Sequence, residues 1–218
     1  MVRTFKAPRL PPALAELGDP VLADETSWDG VQVRGDLGGS IAAGVELTAS
    51  RLTDVRLTGA QLSGVRVRDC VLERCELSGT NLEEAGLDRC ELIDCRLSGA
   101  VLSAARLRHV RFVGCRMDGA HLRLATGTGV RFDRCELTDA DLYGAQLIDG
   151  EMLDCALDGA DFSQADLAGT EMYGSDLAAA IGSHSLRGVT IDPGQVLALA
   201  LAMFPGLGIT VGDRPTSD

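Results

Sequence analysis

Aromatic side chains are scarce: five Phe, two Tyr and one Trp in 218 residues. Eight rings cannot fill the interior of a single soluble domain of this length, so the apolar volume must come from something periodic. Proline is confined to the stretches up to Pro20 and from Pro193 onward, which leaves every amide between them able to donate to a ladder. Long apolar runs are missing too. The longest, Val196 to Phe204, falls far short of the ~20 residues of a membrane-spanning helix. The opening MVRTFKAPRLPP lacks the apolar centre of a secretory signal, so a cytoplasmic location with seven reduced cysteines is expected. Basic charge is also short, at 20 Lys and Arg against 32 Asp and Glu, a net of −12. That balance argues against a nucleic-acid or anionic-membrane binder as a whole-surface reading.

What the chain does have is a repeat of five. Of the 29 positions taken at every fifth residue from Leu37 to Leu177, 27 hold Leu, Phe, Met or Val; Ala42 and Gly127 are the exceptions. The position two before each, Gly35 to Ala180, carries only Ala, Cys, Val, Ser, Thr or Gly. Two after each large residue stands Gly 13 times and Asp six times, which puts turn chemistry at the same point of every unit. A period of five suits neither regular element. On an α-helix five residues advance about 500°, so successive Leu would form no stripe. On a strand an odd period flips faces. A chain that turns once per unit keeps the small and the large residue, two apart, both facing inward. Four right-angle turns then close a square coil of 20 residues.

The cysteines test that coil. All seven occupy the small inward position; Cys75, Cys95, Cys115, Cys135 and Cys155 recur every 20 residues, as do Cys70 and Cys90. About seven coils follow, at the ~4.8 Å spacing of paired strands. The expected fold is an all-β solenoid, a quadrilateral β-helix with four five-residue sides per coil. Residues 31–181 form the repeat, 1–30 an N-terminal capping segment in which Trp28 anchors, and 182–218 a C-terminal cap.

Units such as Ala140-Asp141-Leu142-Tyr143-Gly144 and Ala160-Asp161-Phe162 resemble the A(D/N)Lxx signature of the pentapeptide repeat proteins. The resemblance implies a right-handed winding. Plasmid-borne quinolone-resistance members interrupt their coils with two loops that bear on gyrase protection. Here phase is kept from Leu122 to Phe132, through the weak stretch Ala125 to Gly129, so nothing is inserted. In organisation the chain is similar to the uninterrupted mycobacterial, gyrase-binding fluoroquinolone-resistance type.

After Ala180 the phase fails at Gly182 and Arg187. Asp192-Pro193-Gly194-Gln195 reads as an N-cap, a Pro at the first helical position and a capping-box Gln, so a helix is expected from Pro193 to about Met203. A strand over Leu207, Ile209 and Val211 is expected beyond it. The helix has no charged residue, so one face can cover the last coil while the other seeks a partner. A two-fold homodimer through Val196, Leu197, Leu199, Ala200, Met203 and Phe204 is one answer, a monomeric cap the other. The ending, Leu186-Arg187-Gly188-Val189 through Gly208-Ile209-Thr210-Val211, also resembles the mycobacterial gyrase-binding members, which dimerise there.

Charge is uneven along the rod. Residues 95–134 hold Arg96, Arg106, Arg108, Arg111, Arg116, Arg123, Arg131 and Arg134 against Asp118 and Asp133, a net of +6. Residues 135–186 hold Glu136, Asp139, Asp141, Asp149, Glu151, Asp154, Asp158, Asp161, Asp166, Glu171 and Asp176 and no Lys or Arg. None lies at an inward position. Spread over roughly 12 Å of rod they give about one negative charge per 1.1 Å, comparable with one per ~1.7 Å on duplex DNA. The resemblance implies that such a rod occupies the DNA groove of gyrase. Solvation of a repetitive rod explains the same charges. Opposite charges one coil apart, Glu76 with Arg96, Arg116 with Glu136, Glu91 with Arg111 and Arg131 with Glu151, favour that reading. The like-charge stacks Glu151 with Glu171 and Asp141 with Asp161 favour a basic partner.

No catalytic constellation emerges. The C-x4-C spacing of Cys70, Cys75, Cys90 and Cys95 differs from zinc patterns, so no metal is expected, and stacked thiols stay reduced. His109 and His121 lie in different columns with no nucleophile beside them, and Tyr143 and Tyr173 read as contact aromatics. The expectation is a non-enzymatic protein without cofactor, contacting neither membrane nor nucleic acid directly. Its acidic surface binds a basic protein, with DNA gyrase the leading candidate, as a topoisomerase inhibitor or an antibiotic-resistance factor. A general interaction or structural scaffold without DNA mimicry is the alternative.

Overall fold

A computed structural model describes residues 5–204 and Gly208. Nearly every strand partner in the repeat is 20 residues away: Arg66 pairs Gly86, Gly86 pairs Arg106, Arg106 pairs Thr126 and Thr126 pairs Gln146, all parallel. The same interval links Glu76 with Arg96, Asn81 with Val101 and Glu91 with Arg111, one pair on each of the other sides. The coil is therefore a four-sided β-helix of about seven turns. Side I is centred on Leu97, Met117 and Leu137, side II on Leu102, Leu122 and Leu142. Side III is centred on Leu107, Gly127 and Leu147, and side IV on Phe112, Phe132 and Met152.

The large and small inward residues form one continuous column of core, with Leu97, Leu102, Met117, Leu122 and Phe132 all within 1% of full burial. Burying each such side chain is worth roughly 1.5–3 kcal/mol, which supplies the stability that eight rings cannot. The position two after the large residue adopts a left-handed backbone in nearly every unit, whether Gly59 (φ 66), Asp94 (φ 51) or Leu124 (φ 57). That conformation is free for Gly and tolerated by Asp, which accounts for the preference at this point.

The corners are of two kinds. After sides I and II the chain makes a hydrogen-bonded turn in which the small residue's N–H donates to the large residue's carbonyl, as Ala100 does to Leu97 (3.0 Å) and Ala105 to Leu102 (3.1 Å). After sides III and IV that carbonyl commonly takes a donor from the next coil. Cys90 Sγ donates to Val67 (3.4 Å), Cys95 Sγ to Leu72 (3.4 Å), Thr170 Oγ1 to Leu147 (2.8 Å) and Ser175 Oγ to Met152 (3.0 Å). Cysteine at these two corners thus supplies a small side-chain donor, as Thr170 and Ser175 do, while Val110, Val130 and Gly150 fill the same position without one.

Both ends tighten by one residue: Trp28 pairs Leu47, and Glu171 pairs Thr190, each 19 apart. Leu17, Leu22, Trp28 and Val31 close the first coil. Upstream of them the chain lies along the rod. Arg9 N donates to Asp69 Oδ1 (3.1 Å), and the Arg131 guanidinium sits 5.6 Å from the Phe5 ring. At the other end Asp192 and Gln195 form the expected capping box, and helix α1 runs from Val196 to Met203. The expected strand at Leu207, Ile209 and Val211 lies outside the described residues.

Candidate functional site

The eleven acids of residues 135–186 do not share one side. Glu136, Asp139, Asp158 and Asp176 lie on side I, Asp141 and Asp161 on side II, Asp149 and Asp166 on side III, and Glu151, Asp154 and Glu171 on side IV. None is buried, so together they encircle the rod. Among the described residues, three of them meet an arginine: Glu136 with Arg116 (2.7 Å), Asp141 with Arg123 (3.0 Å) and Glu151 with Arg131 (3.0 Å). The like-charge stacks are real neighbours, since Asp141 pairs Asp161 and Glu151 pairs Glu171 in register.

Many of these acids also serve their own coil. Where Asp stands one before the large residue, its carboxylate accepts the N–H two residues on: Asp141 from Tyr143 (3.0 Å), Asp161 from Ser163 (2.8 Å), Asp166 from Ala168 (3.2 Å) and Asp176 from Ala178 (3.0 Å). These Asx turns start each corner. Asp139, Asp149 and Asp154 instead lean over Gly159, Gly169 and Gly174 one coil further on, where a Cβ would collide with each carboxylate. Sequence reading saw the charge of these residues and missed both roles; the recurrence of Asp one before the large residue, with Gly 20 after a corner Asp, was the available signal.

The arginine girdle is largely neutralised. Arg96 meets Glu76 (3.6 Å), Arg108 meets Asp88, Arg111 meets Asp133 (2.7 Å), and Arg134 also reaches Asp133 (3.6 Å). Glu91 stands in register with Arg111, yet Arg111 turns to the diagonal Asp133. Of the eight arginines, only Arg106 has no acidic partner among the described residues. Asp69 is 8% exposed and accepts two bonds from Arg89, one at 2.7 Å from Nε, which hold its carboxyl below the usual range. Asp88 receives Arg108, Arg89 (3.0 Å) and Arg68 (3.6 Å), and its pKa falls for the same reason.

No group of three or more His, Cys, Asp or Glu among the described residues has metal-binding geometry. All seven cysteines are buried and free, and burial pushes the Cys70 thiol up to about 11. His109 Nδ1 is buried without a hydrogen-bond partner, and burial, with Lys6 and arginines nearby, lowers its pKa; His121 is exposed. Tyr143 lies beneath Arg123 (4.4 Å), while Tyr173 is exposed. On α1, Val196 and Leu197 are exposed (57% and 71%), whereas Leu199 packs on the core and Ala200, Met203 and Phe204 are half-buried. Leu201, outside the expected interface, is exposed. No described helix is long and apolar enough to cross a membrane.

This architecture is that of a β-solenoid built from five-residue units. Family models for the pentapeptide repeat region and for pentapeptide repeats match residues 65–142, and 36–69 with 154–181, together more than half of the chain. The chain belongs to the pentapeptide repeat family, and its coils form a right-handed quadrilateral β-helix. No curated relative matches it. Among solved structures it is similar to HetL, a pentapeptide repeat protein involved in heterocyst differentiation regulation from the cyanobacterium Nostoc sp. strain PCC 7120. That match has 20% identity, covers 77% of this chain and 87% of HetL, and has a TM-score of 0.43. A trypsin-treated form of QnrB1, a plasmid-mediated fluoroquinolone resistance protein, also matches, at 20% identity over 91% of this chain and 96% of that one, with a TM-score of 0.45.

Proposed function

We propose that the chain is a non-enzymatic rod whose acidic C-terminal coils bind a basic protein. DNA gyrase, engaged by DNA mimicry, is the leading candidate, with inhibition or quinolone protection as the outcome. The observation that carries this reading is an unneutralised belt. Eight of the eleven acids, Asp139, Asp149, Asp154, Asp158, Asp161, Asp166, Glu171 and Asp176, have no basic partner among the described residues, and they surround the axis as phosphates surround a duplex. Like charges in register weaken the ladder unless they serve something else. The exposed Val196, Leu197 and Leu201 support a homodimer through α1, which would double the acidic length. Buried, reduced thiols suit a cytoplasmic location.

A second reading has its own observation. The Asx turns of Asp141, Asp161, Asp166 and Asp176 give part of the acidity a purely architectural cause, which suits a general scaffold. Gyrase supercoiling titrated with wild type and with the triple variant Asp141→Asn/Asp161→Asn/Glu171→Gln separates the two. Asn keeps the turn acceptor and removes only charge. Inhibition or altered quinolone sensitivity by wild type, lost in the variant, supports mimicry. No effect of wild type removes gyrase, and equal potency of the two removes the acidic mechanism.

A further inference from the structure

Side III carries a basic surface that the acidic belt does not account for. Arg66, Gly86, Arg106 and Thr126 stand in one outward column, and Arg68, Asp88, Arg108 and Thr128 in the next, each step one coil. Two neighbouring depressions lie on this side, the first where Gly86 brings no outward side chain. One, of 340 Å³, lies over Gly86 and is lined by Arg66, Arg68, Asp88, Arg106 and Arg108. The other, of 300 Å³, lies over Gly127 and shares Arg106 and Arg108, adding Thr126, Thr128 and Gln146. Their single acid, Asp88, is 15% exposed and already held by three arginines, so the outward charge of this side is positive. The depression on the opposite corner, at Arg74, Arg96, Arg116 and Arg134, differs: each of those arginines meets an acid.

We propose that side III between Arg66 and Gln146 docks an extended acidic peptide whose carboxylates recur at every third residue. An anion is selected by Arg106, which has no acidic partner among the described residues, and by Arg66, whose exposed pair with Glu46 (3.0 Å) exchanges at little cost. An extended ligand is selected because the side is a flat ladder with shallow depressions. Spacing sets the period. Arg66 and Arg106 are two coils apart, roughly 10 Å at strand spacing, and a polyproline II segment repeats every three residues in about 9.3 Å. Guanidinium groups of one column then meet carboxylates of one face, as charge-assisted hydrogen bonds. Nucleic acid fits less well, because neither depression holds an aromatic ring for base stacking.

Fluorescence anisotropy with the full chain and a labelled peptide of Glu-Pro-Pro repeats tests this at low ionic strength. Binding is expected, with none for the Gln-Pro-Pro peptide and weaker binding when the same glutamates are contiguous. Arg66→Gln/Arg106→Gln should weaken binding about tenfold or more, while Arg96→Gln/Arg116→Gln on side I leaves it unchanged. Matching urea midpoints establish that each variant is folded. Failure of the Glu-Pro-Pro peptide to bind, equal loss in the side I variant, or tighter binding of a thymidine oligonucleotide would overturn the proposal. These outcomes are independent of gyrase, whose test concerns residues 135–186.

Discussion

The rings of Phe112 and Phe132 lie one above the other on side IV, 4.9 Å between centroids and 5° from parallel. Twenty residues of chain separate them, so this stack is one step of the solenoid seen in its core. Both rings are within 1% of full burial. Phe132→Ala should therefore cost about 3–5 kcal/mol, because rigid coils above and below cannot collapse into the space. Urea unfolding of the variant measures it; a loss below that of an ordinary surface substitution would contradict a close-packed column.

Gly127 reverses the intuition that a repeat is improved by its consensus. Leucine belongs there by phase, yet a Cβ would stand 2.5 Å from Val130 Cγ2, 2.9 Å from Leu147 Cδ2 and 3.0 Å from the Leu107 carbonyl. Neighbouring residues have filled the gap. Gly127→Leu is expected to destabilise by about 1–3 kcal/mol, read from the urea midpoint, whereas a genuine vacancy would make it stabilising.

Acid sensitivity should concentrate at Asp69 and Asp88. Their folded pKa values are lowered, chiefly by hydrogen bonds from Arg89 and Arg108 respectively. A depressed carboxylate contributes stability that is complete above the unfolded value of about 3.9 and is lost as pH falls through the folded value. Asp69→Asn should lower stability at pH 7 and flatten its decline in acid. Arg89→Met should cost roughly 1.5–3 kcal/mol at neutral pH. Identical acid limbs for wild type and Asp69→Asn would refute the assignment.

Thiol chemistry supplies a further check. With all seven cysteines buried, native protein at pH 8 should resist a thiol-specific alkylating reagent, and denatured protein should take up seven equivalents. Mass spectrometry counts the adducts. Rapid native labelling of Cys95 or Cys115 would mean that the corner is open.

The oligomer can be read from α1. Leu197 is 71% exposed while Leu199 packs on the core, so Leu197→Glu should dissociate a dimer without disturbing the cap. Sedimentation velocity decides: a wild-type dimer that Leu197→Glu leaves intact, or a wild-type monomer, would rule out this interface.

Most of the scaffold was legible because the information is local and repeated. A five-residue period excludes helix and strand, and the 20-residue recurrence of Cys95, Cys115 and Cys135 closes the square; the capping box at Asp192 and Gln195 reads equally well from four residues. The candidate surface was legible only as composition. Residues 95–134 carry +6 by count, but Arg108 turns back to Asp88 and Arg116 forward to Glu136, so neighbouring coils cancel much of it.

The coil period, the inward columns and the capping box before α1 are thus properties of the linear order, since each unit repeats the same choice of side chains at the same turn. Which charges remain free was decided in three dimensions. Arg106 has no acidic partner among the described residues, standing in register with Gly86 and Thr126, and Arg111 prefers Asp133 to the in-register Glu91, because a long side chain selects among partners on several coils at once and no linear spacing specifies that choice.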